Sequence, residues 1–438
     1  MYNEMFVAAR LIDTVARLNY PSELLEIQVL DDSTDETVKI ASERVEHYSR
    51  KGLDISYLHR NDRSGFKAGA LEAGMRQAKG DFIAVFDADF MPHPEFLNQC
   101  IHYFTDKQVG MVQVRWSHLN RTCSLITKLQ SIFLDGHFVV EHTARNRSGR
   151  FFNFNGTAGI WRKTTIGDAG GWQHDTLTED LDLSYRAQLK GWKFIYLADI
   201  AVPAELPADI IGFKTQQHRW AKGSIQTAKK LLPIIFSAPL PWRVKSEAFF
   251  HLAANFAYLL MIPFSLSILP VMLIRKELDW SRMVLVDVPL FLMATASVSA
   301  FYIICQKELY ANWISTLKYL PLLIGLGIGL AVNNSMAVLE ALFNQDSEFV
   351  RTPKYGIRSK EEKTQFKKYK SNRRNLTVLV EIVLALYFSI ALVIAVMEGI
   401  WMTIPFLLLF LYGYSYIAGL SLASINQQRI QMKKADGL

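Results

Sequence analysis

Cysteine is scarce in this chain: three in 438 residues, Cys100, Cys123 and Cys305. Their number is odd, they lie far apart and none has metal-ligand spacing. This excludes a disulfide framework and a cysteine metal site, and points to a reducing compartment. A signal peptide is also lacking. The opening "MYNEMFVAARLIDTVARL" already reads as a helix with Leu11, Val15 and Leu18 on one side. Charge is modest, at 20% of residues against 50% hydrophobic, and mean hydropathy is +0.11. A uniform soluble protein of two or three domains would not usually read this way. The apolar residues are segregated instead: residues 1–235 read as a globular domain and 236–438 as a membrane domain. Much of the net charge of +7 falls in one loop, and no nucleic-acid partner is expected.

The first half alternates strands and helices. "LEIQVL" (25–30) is a strand running into Asp31-Asp32, and Ser33 and Glu36 have capping-box spacing. Val38, Ala41, Val45 and Tyr48 then form a helical stripe. Further strands are predicted at 54–60, 81–86 and 109–116, with a Gly/Ala-rich helix at 65–79 and another opened by Pro94. This order predicts a mostly parallel, doubly wound sheet. Ligands of such sheets sit beyond the C-terminal strand ends, where Asp31-Asp32 and Asp87-Asp89 both fall.

In the second half, residues 249–274, 283–305, 376–397 and 400–422 are each long enough to cross a hydrocarbon core of about 30 Å. The shorter run within 313–342 reads as interfacial or re-entrant. Loop 351–374 carries ten Lys and Arg, Arg351 and Lys354 among them, against Glu361 and Glu362, so it is expected to be cytoplasmic. With the globular half also cytoplasmic, an even number of crossings must separate them, which two spans and one interfacial segment satisfy. On charge alone the loop is equally a solvated linker near anionic lipid.

Three constellations carry chemistry. "VFDADFMP" (85–92) ends an apolar strand with Asp87 and Asp89, which at i and i+2 point to one face and repel. A divalent cation, Mg2+ or Mn2+, bridging to a diphosphate would relieve them; solvated loop aspartates are the plain alternative. In "TLTEDLDLSYRAQLKGW" (176–192), Leu177, Leu181, Tyr185 and Leu189 form a helix stripe, Thr178 suits the N-cap, and Glu179-Asp180 fill the first turn. Those acids serve the helix dipole, or Asp180 is a general base for a hydroxyl. "TQQHRWAKGS" (215–224) groups Gln216, Arg219 and Trp220 before the membrane. Arg219 can take a diphosphate and Trp220 a sugar face, or both are interfacial anchors.

With D, D-x-D, T-E-D and Q-x-x-R-W in order (Asp32, Asp87-x-Asp89, Thr178-Glu179-Asp180, Gln216-x-x-Arg219-Trp220), the chain resembles membrane-bound family-2 glycosyltransferases. Within that family it is similar to cellulose-synthase-like and mannan-synthase-like β-glycan synthases. "SGFKAGALEAGM" and "FFNFNGTAGIWR" also look like family segments. The resemblance implies a Rossmann-like, GT-A type nucleotide-diphospho-sugar transferase domain followed by transmembrane helices. It implies that Asp31, Asp32, Lys67 and Asp87 contact the nucleotide sugar and that Asp87 and Asp89 hold the metal. Asp180 would be the base, Arg219 would neutralise the leaving diphosphate, and Glu179, Gln216 and Trp220 would contact the acceptor. Asn155 stands where cellulose synthases usually carry a Cys in the acceptor loop. "FVRTPKYG" (349–356) resembles a gating loop, within 343–375, that would bring Thr352 and Lys354 to the nucleotide. The family's usual first strand, ending near Tyr2-Asn3-Glu4, is not in this sequence, so either the start is misassigned or the sheet lacks a strand, which should expose neighbouring backbone groups; Tyr2 and Glu4 would still border the nucleotide.

The reaction implied is an inverting transfer from a nucleotide sugar, UDP-glucose or GDP-mannose, to a growing β-glycan. An alternative is single transfer to a membrane lipid such as ceramide or diacylglycerol. A non-catalytic scaffold or transporter is a third reading, but Glu381 is the only clear intramembrane charge. The expected location is a bacterial inner membrane, with the catalytic domain cytoplasmic.

Overall fold

Short runs rich in β-branched, aliphatic and aromatic residues build the strands of the first half. The computed structural model describes residues 1–278, 284–345, 350–357 and 375–435. Strands β1 (Ile27–Asp31) and β2 (Ile55–His59) pair in parallel, Asp31 opposite His59. Strands β3 (Phe82–Val85), β4 (Val109–His118), β5 (Gly159–Arg162) and β6 (Lys193–Ala204) form a second sheet in the order β3-β5-β4-β6. The expectation of a mostly parallel sheet needs correcting here. β5 runs antiparallel to both neighbours, while β4 and β6 are parallel. The architecture is a mixed α/β sheet domain.

Side-chain alternation explains why this sheet is covered on both faces. On β5, Trp161 enters one core with Phe138, Phe152 and Phe194, and Ile160 enters the opposite core with Phe96 and Val112. Met111 and Val112 divide in the same way on β4. A strand buried on both faces needs a near-continuous apolar run, which "VGMVQV" supplies apart from Gln113, whose buried amide donates to the Thr157 and Ala158 carbonyls.

β1 and β3 lie in different sheets, and among the described residues no strand lies between them. Met1 pairs with the β1 edge. Its amino group donates to the Leu30 carbonyl at 2.5 Å, and Asp32 N–H donates to the Met1 carbonyl at 3.0 Å.

A helix from Ile210 to Ser237 links the two halves. Beyond it, Phe256–Glu277, Val288–Leu309, Trp313–Leu342, Leu376–Met397 and Trp401–Asn426 are long and apolar enough to cross a membrane. The segment expected to be interfacial, 313–342, comprises a 3-10 turn and two helices, Leu320–Gly329 and Ala331–Leu342. It is the most buried of the five. Of the basic loop, Arg351 and Lys354 are described, whereas Arg358, Lys360, Lys363, Lys367, Lys368, Lys370, Arg373 and Arg374 lie outside the described residues. The three cysteines are buried.

Candidate active site

A cavity of about 490 Å3 extends from between the β1 and β3 edges to the start of the linking helix. It collects nearly every residue singled out above. Asp32, Lys67, Asp87, Asp89, Asn155, Glu179, Asp180, Gln216, Arg219, Trp220, Thr352 and Lys354 line it, as do Tyr2 and Glu4.

Asp31 does not reach the cavity. It is buried behind the wall, accepting from Ser33 N–H (3.1 Å), Ser33 Oγ (2.5 Å) and Tyr57 OH (2.6 Å). This also corrects the expected capping box: Ser33 serves Asp31, and Asp35 Oδ1 accepts from Thr37 N–H instead. Asp32 is gripped through both oxygens by Arg60, Nε at 2.8 Å and Nη2 at 2.6 Å. Arg60 was not marked in the sequence, because no spacing ties it to Asp32.

β3 ends at Val85, so Asp87 and Asp89 stand in a turn and not on a strand face. The same-face argument therefore fails, and mutual repulsion is relieved differently. Lys67 Nζ donates to Asp87 Oδ1 at 2.5 Å, and Lys354 Nζ donates to Asp89 Oδ2 at 2.7 Å. Burial pulls each ammonium down, but the surrounding carboxylates outweigh it and raise both lysines. Among the described residues no group of three or more His, Cys, Asp or Glu could hold a metal by itself. Two hard-oxygen carboxylates nonetheless fit Mg2+ or Mn2+, which take one or two carboxylates and complete their shell with phosphate oxygens and water.

The loop 153–158 ties the β3 end and the Lys67–Asp87 pair to the helix that bears Asp180. Phe154 N–H donates to Ser184 Oγ (2.8 Å), Asn155 N–H to Gln113 Oε1 (3.0 Å) and Ala158 N–H to Val85 O (2.8 Å). The Gly156 carbonyl accepts from Lys67 at 2.8 Å, and Thr157 Oγ1 accepts from Asp87 N–H at 2.9 Å. Gly156 has φ +79°, and a Cβ there would lie 3.0 Å from Asp180 Oδ2 and 3.3 Å from Lys67 Nζ. Only glycine suits that backbone and that gap.

Asp180 occupies the first turn of the helix Glu179–Leu189. Thr178 holds the N-cap position, but its hydroxyl pairs with Thr227 and makes no cap bond. Burial, then the neighbouring Glu179, pushes Asp180 up to about 7, against the pull of Lys67. A carboxyl poised there can take a proton from a hydroxyl near neutral pH. Burial lowers Arg219, and the carboxylates of Glu179, Asp87, Asp180 and Glu4 counter it. The linking helix packs onto this turn at Gly223, where a Cβ would come within 2.5 Å of Thr178 Cγ2.

Segment 350–357 closes one side. Glu205, just past β6, accepts from Tyr355 N–H and Gly356 N–H, both at 2.9 Å, and its carbonyl accepts from Lys354. Glu205 also escaped the sequence reading; its only signal was an acid at the end of an unrecognised strand. Thr352 Oγ1 is buried without a hydrogen-bond partner.

A mixed α/β domain with an acid-lined cavity at its strand ends, followed by apolar helices, defines a GT-A type sugar transferase. The chain belongs to glycosyltransferase family 2: the model described as "Glycosyltransferase like family 2" matches residues 1–223. Similar proteins include glucomannan 4-beta-mannosyltransferase 1 of Oryza sativa subsp. japonica, 36% identical over 338 residues, covering 74% of this chain and 65% of that one. Glucomannan 4-beta-mannosyltransferase 2 of Arabidopsis thaliana is 36% identical over 338 residues, covering 74% of this chain and 63% of the relative. The chain thus spans less than two thirds of the length of these relatives. Both are plant proteins, which leaves the expected bacterial inner membrane without support. A solved structure of the mannosyltransferase PcManGT from Pyrobaculum calidifontis, in complex with GDP-Man and Mn2+, shares the fold. Its TM-score is 0.52 at 18% identity, covering 79% of this chain and 86% of that one.

Proposed function

We propose that this protein is an inverting β-glycan synthase that moves a mannosyl or glucosyl unit from a nucleotide sugar onto a polysaccharide at a membrane. The observation that carries the reading is Asp180, raised to about 7 in the same cavity as Arg219, Lys67 and the Asp87/Asp89 pair. In this reading Asp180 takes the proton of the acceptor hydroxyl as that oxygen attacks the anomeric carbon. Arg219 and Lys67 neutralise the departing diphosphate. Asp87 and Asp89 hold a divalent cation, which supplies further charge stabilisation for the same phosphates. Asp32 and Thr352 border the nucleotide, and Gln216, Glu179, Asn155 and Trp220 face the acceptor.

The names of the relatives favour a glycan acceptor over a membrane lipid, and GDP-mannose over UDP-glucose as donor. The apolar helices support a membrane-embedded enzyme. The positive-inside argument puts loop 351–374 on the cytoplasmic side; with the catalytic domain on that side too, an even number of crossings separates them and 313–342 is not a separate crossing.

The test is to incubate membranes containing the protein with labelled GDP-mannose, UDP-glucose and other nucleotide sugars, then separate products by size. An extending polymer is expected. A single sugar on lipid, or no transfer from any donor, overturns the reading.

A further inference from the structure

Behind the cavity, two histidines hold the Asn155 side chain from both sides. His142 Nε2 lies 2.7 Å from Asn155 Oδ1, and Asn155 Nδ2 lies 3.1 Å from His137 Nε2. The rings are 4.4 Å apart between centroids. Neither histidine lines the cavity, whereas Asn155 does.

The backbone makes this grip feasible. His137 and His142 are five residues apart on a π-helical turn, His137–His142, inserted after the α-helix Leu125–Gly136. On an α-helix residues five apart point about 140° away from each other. The i→i+5 bonding of a π-turn stacks them, and such turns recur at functional sites.

Hydrogen-bond roles leave one arrangement. His137 Nδ1 faces the Glu141 carboxylate at 2.9 Å, so it donates. In neutral His137, Nε2 is then an acceptor for the Asn155 amide N–H. Asn155 Oδ1 is therefore turned to His142, whose Nε2 donates, while its buried Nδ1 has no partner. Burial holds His142 well below the usual imidazole range, so it stays neutral. Glu141 is in turn held by Arg145 at 3.3 Å.

We propose that His137 and His142 are positioning residues: they clamp the Asn155 amide and so fix the Asn155–Gly156 segment against Asp180 and Lys67. The proposal rests on the glycan-synthase reading for its effect on turnover, but not for the clamp itself. Gly156 has no slack, since its carbonyl takes Lys67 and its Cα faces Asp180. Asn155 is the first anchored side chain before it.

The experiment uses the full-length protein with His142→Phe, which fills the space without a donor, His142→Gln, which restores an amide donor, Asn155→Ala, and the His142→Phe/Asn155→Ala pair. A displacement of the Asn155–Gly156 segment by about 1 Å lowers turnover up to about hundredfold. His142→Phe is expected to do so through kcat and acceptor KM, with a smaller change in donor KM, because Lys67 also bonds the Gly156 carbonyl. His142→Gln should recover most of the loss. The double variant should be no worse than Asn155→Ala, because a residue acting only through another is not additive with it. Multiplying losses, or no rescue by Gln in folded protein, overturn the proposal. A readout without turnover is backbone hydrogen exchange. In His142→Phe, residues 153–158 should exchange faster while β4 keeps its protection; unchanged exchange there overturns the clamp. An inactive parent overturns the glycan-synthase reading, and the exchange result then decides the clamp by itself.

Discussion

Lys214 Nζ lies 2.5 Å from Glu381 Oε1, and both side chains are buried. Lys214 stands five residues before Arg219 on the helix that lines the cavity; Glu381 belongs to the apolar helix Asn375–Met397. The charge noted in the sequence as a lone intramembrane acid is thus a bolt between the two halves. Asn333 adds a bond to the Lys214 carbonyl at 2.9 Å, and further along the same helix Lys222 pairs with Glu340 at 3.3 Å.

Breaking one side of this bolt leaves an uncompensated buried charge. Lys214→Met or Glu381→Gln alone is expected to cost about 3–5 kcal/mol, read as a fall in melting temperature in detergent. The apolar pair Lys214→Met/Glu381→Leu should lose much less. Equal losses for single and double variants would show that the pair does not bind the halves.

Asp180 sets the pH dependence of transfer. Its carboxyl titrates near 7 in the folded protein against 3.8 for the free group. As a base it must be ionised, so turnover should fall about tenfold per pH unit below that value. Linkage has the opposite consequence for stability. Between 3.8 and 7 the folded protein binds a proton that the unfolded chain does not, so this stabilising contribution is present at low pH and is lost as pH rises through about 7. Asp180→Asn should cut transfer by about a hundred- to ten-thousandfold and raise the melting temperature at pH 8 relative to the parent. Unchanged turnover in Asp180→Asn would remove it from the mechanism.

Lys354 holds the Asp89 carboxylate assigned to a divalent cation. Removing the ammonium leaves the Asp89 carboxylate without its paired charge and the Glu205 carbonyl without that donor. Lys354→Met should lower stability by about 3 kcal/mol without metal. Mn2+ or Mg2+ should restore more of its melting temperature than it adds to the parent. A melting temperature indifferent to either ion in the variant would count against a cation at Asp89.

Much of this was legible in the sequence because strands buried on both faces announce themselves as apolar runs. The four predicted strands match β1 to β4 to within two residues at each end. The stripe of Leu181 and Tyr185 does pack as a helix face, against Leu231 and Ile235 of the linking helix. β5 was missed because four residues inside an Asn/Gly/Phe-rich loop carry no period of their own. β6 was missed because Asp199 and Pro203 interrupt its alternation. The motif acids line one cavity, but the partners of Asp32 and Asp89 (Arg60 and Glu205) and of Asn155 (the two histidines) are brought by the fold from other positions. The histidines were further hidden by a spacing that belongs to a π-turn.

The bare Cα of Gly223 offers a way to move the machinery without altering any of its charges. Thr178 fills the hollow that a side chain would need, so Gly223→Ala acts as a wedge of one methyl between the Asp180 helix and the one bearing Arg219 and Trp220. Longer side chains at the same position would make a graded ruler, and the fall of turnover along that series would measure how finely proton acceptor and phosphate-facing cation must be spaced.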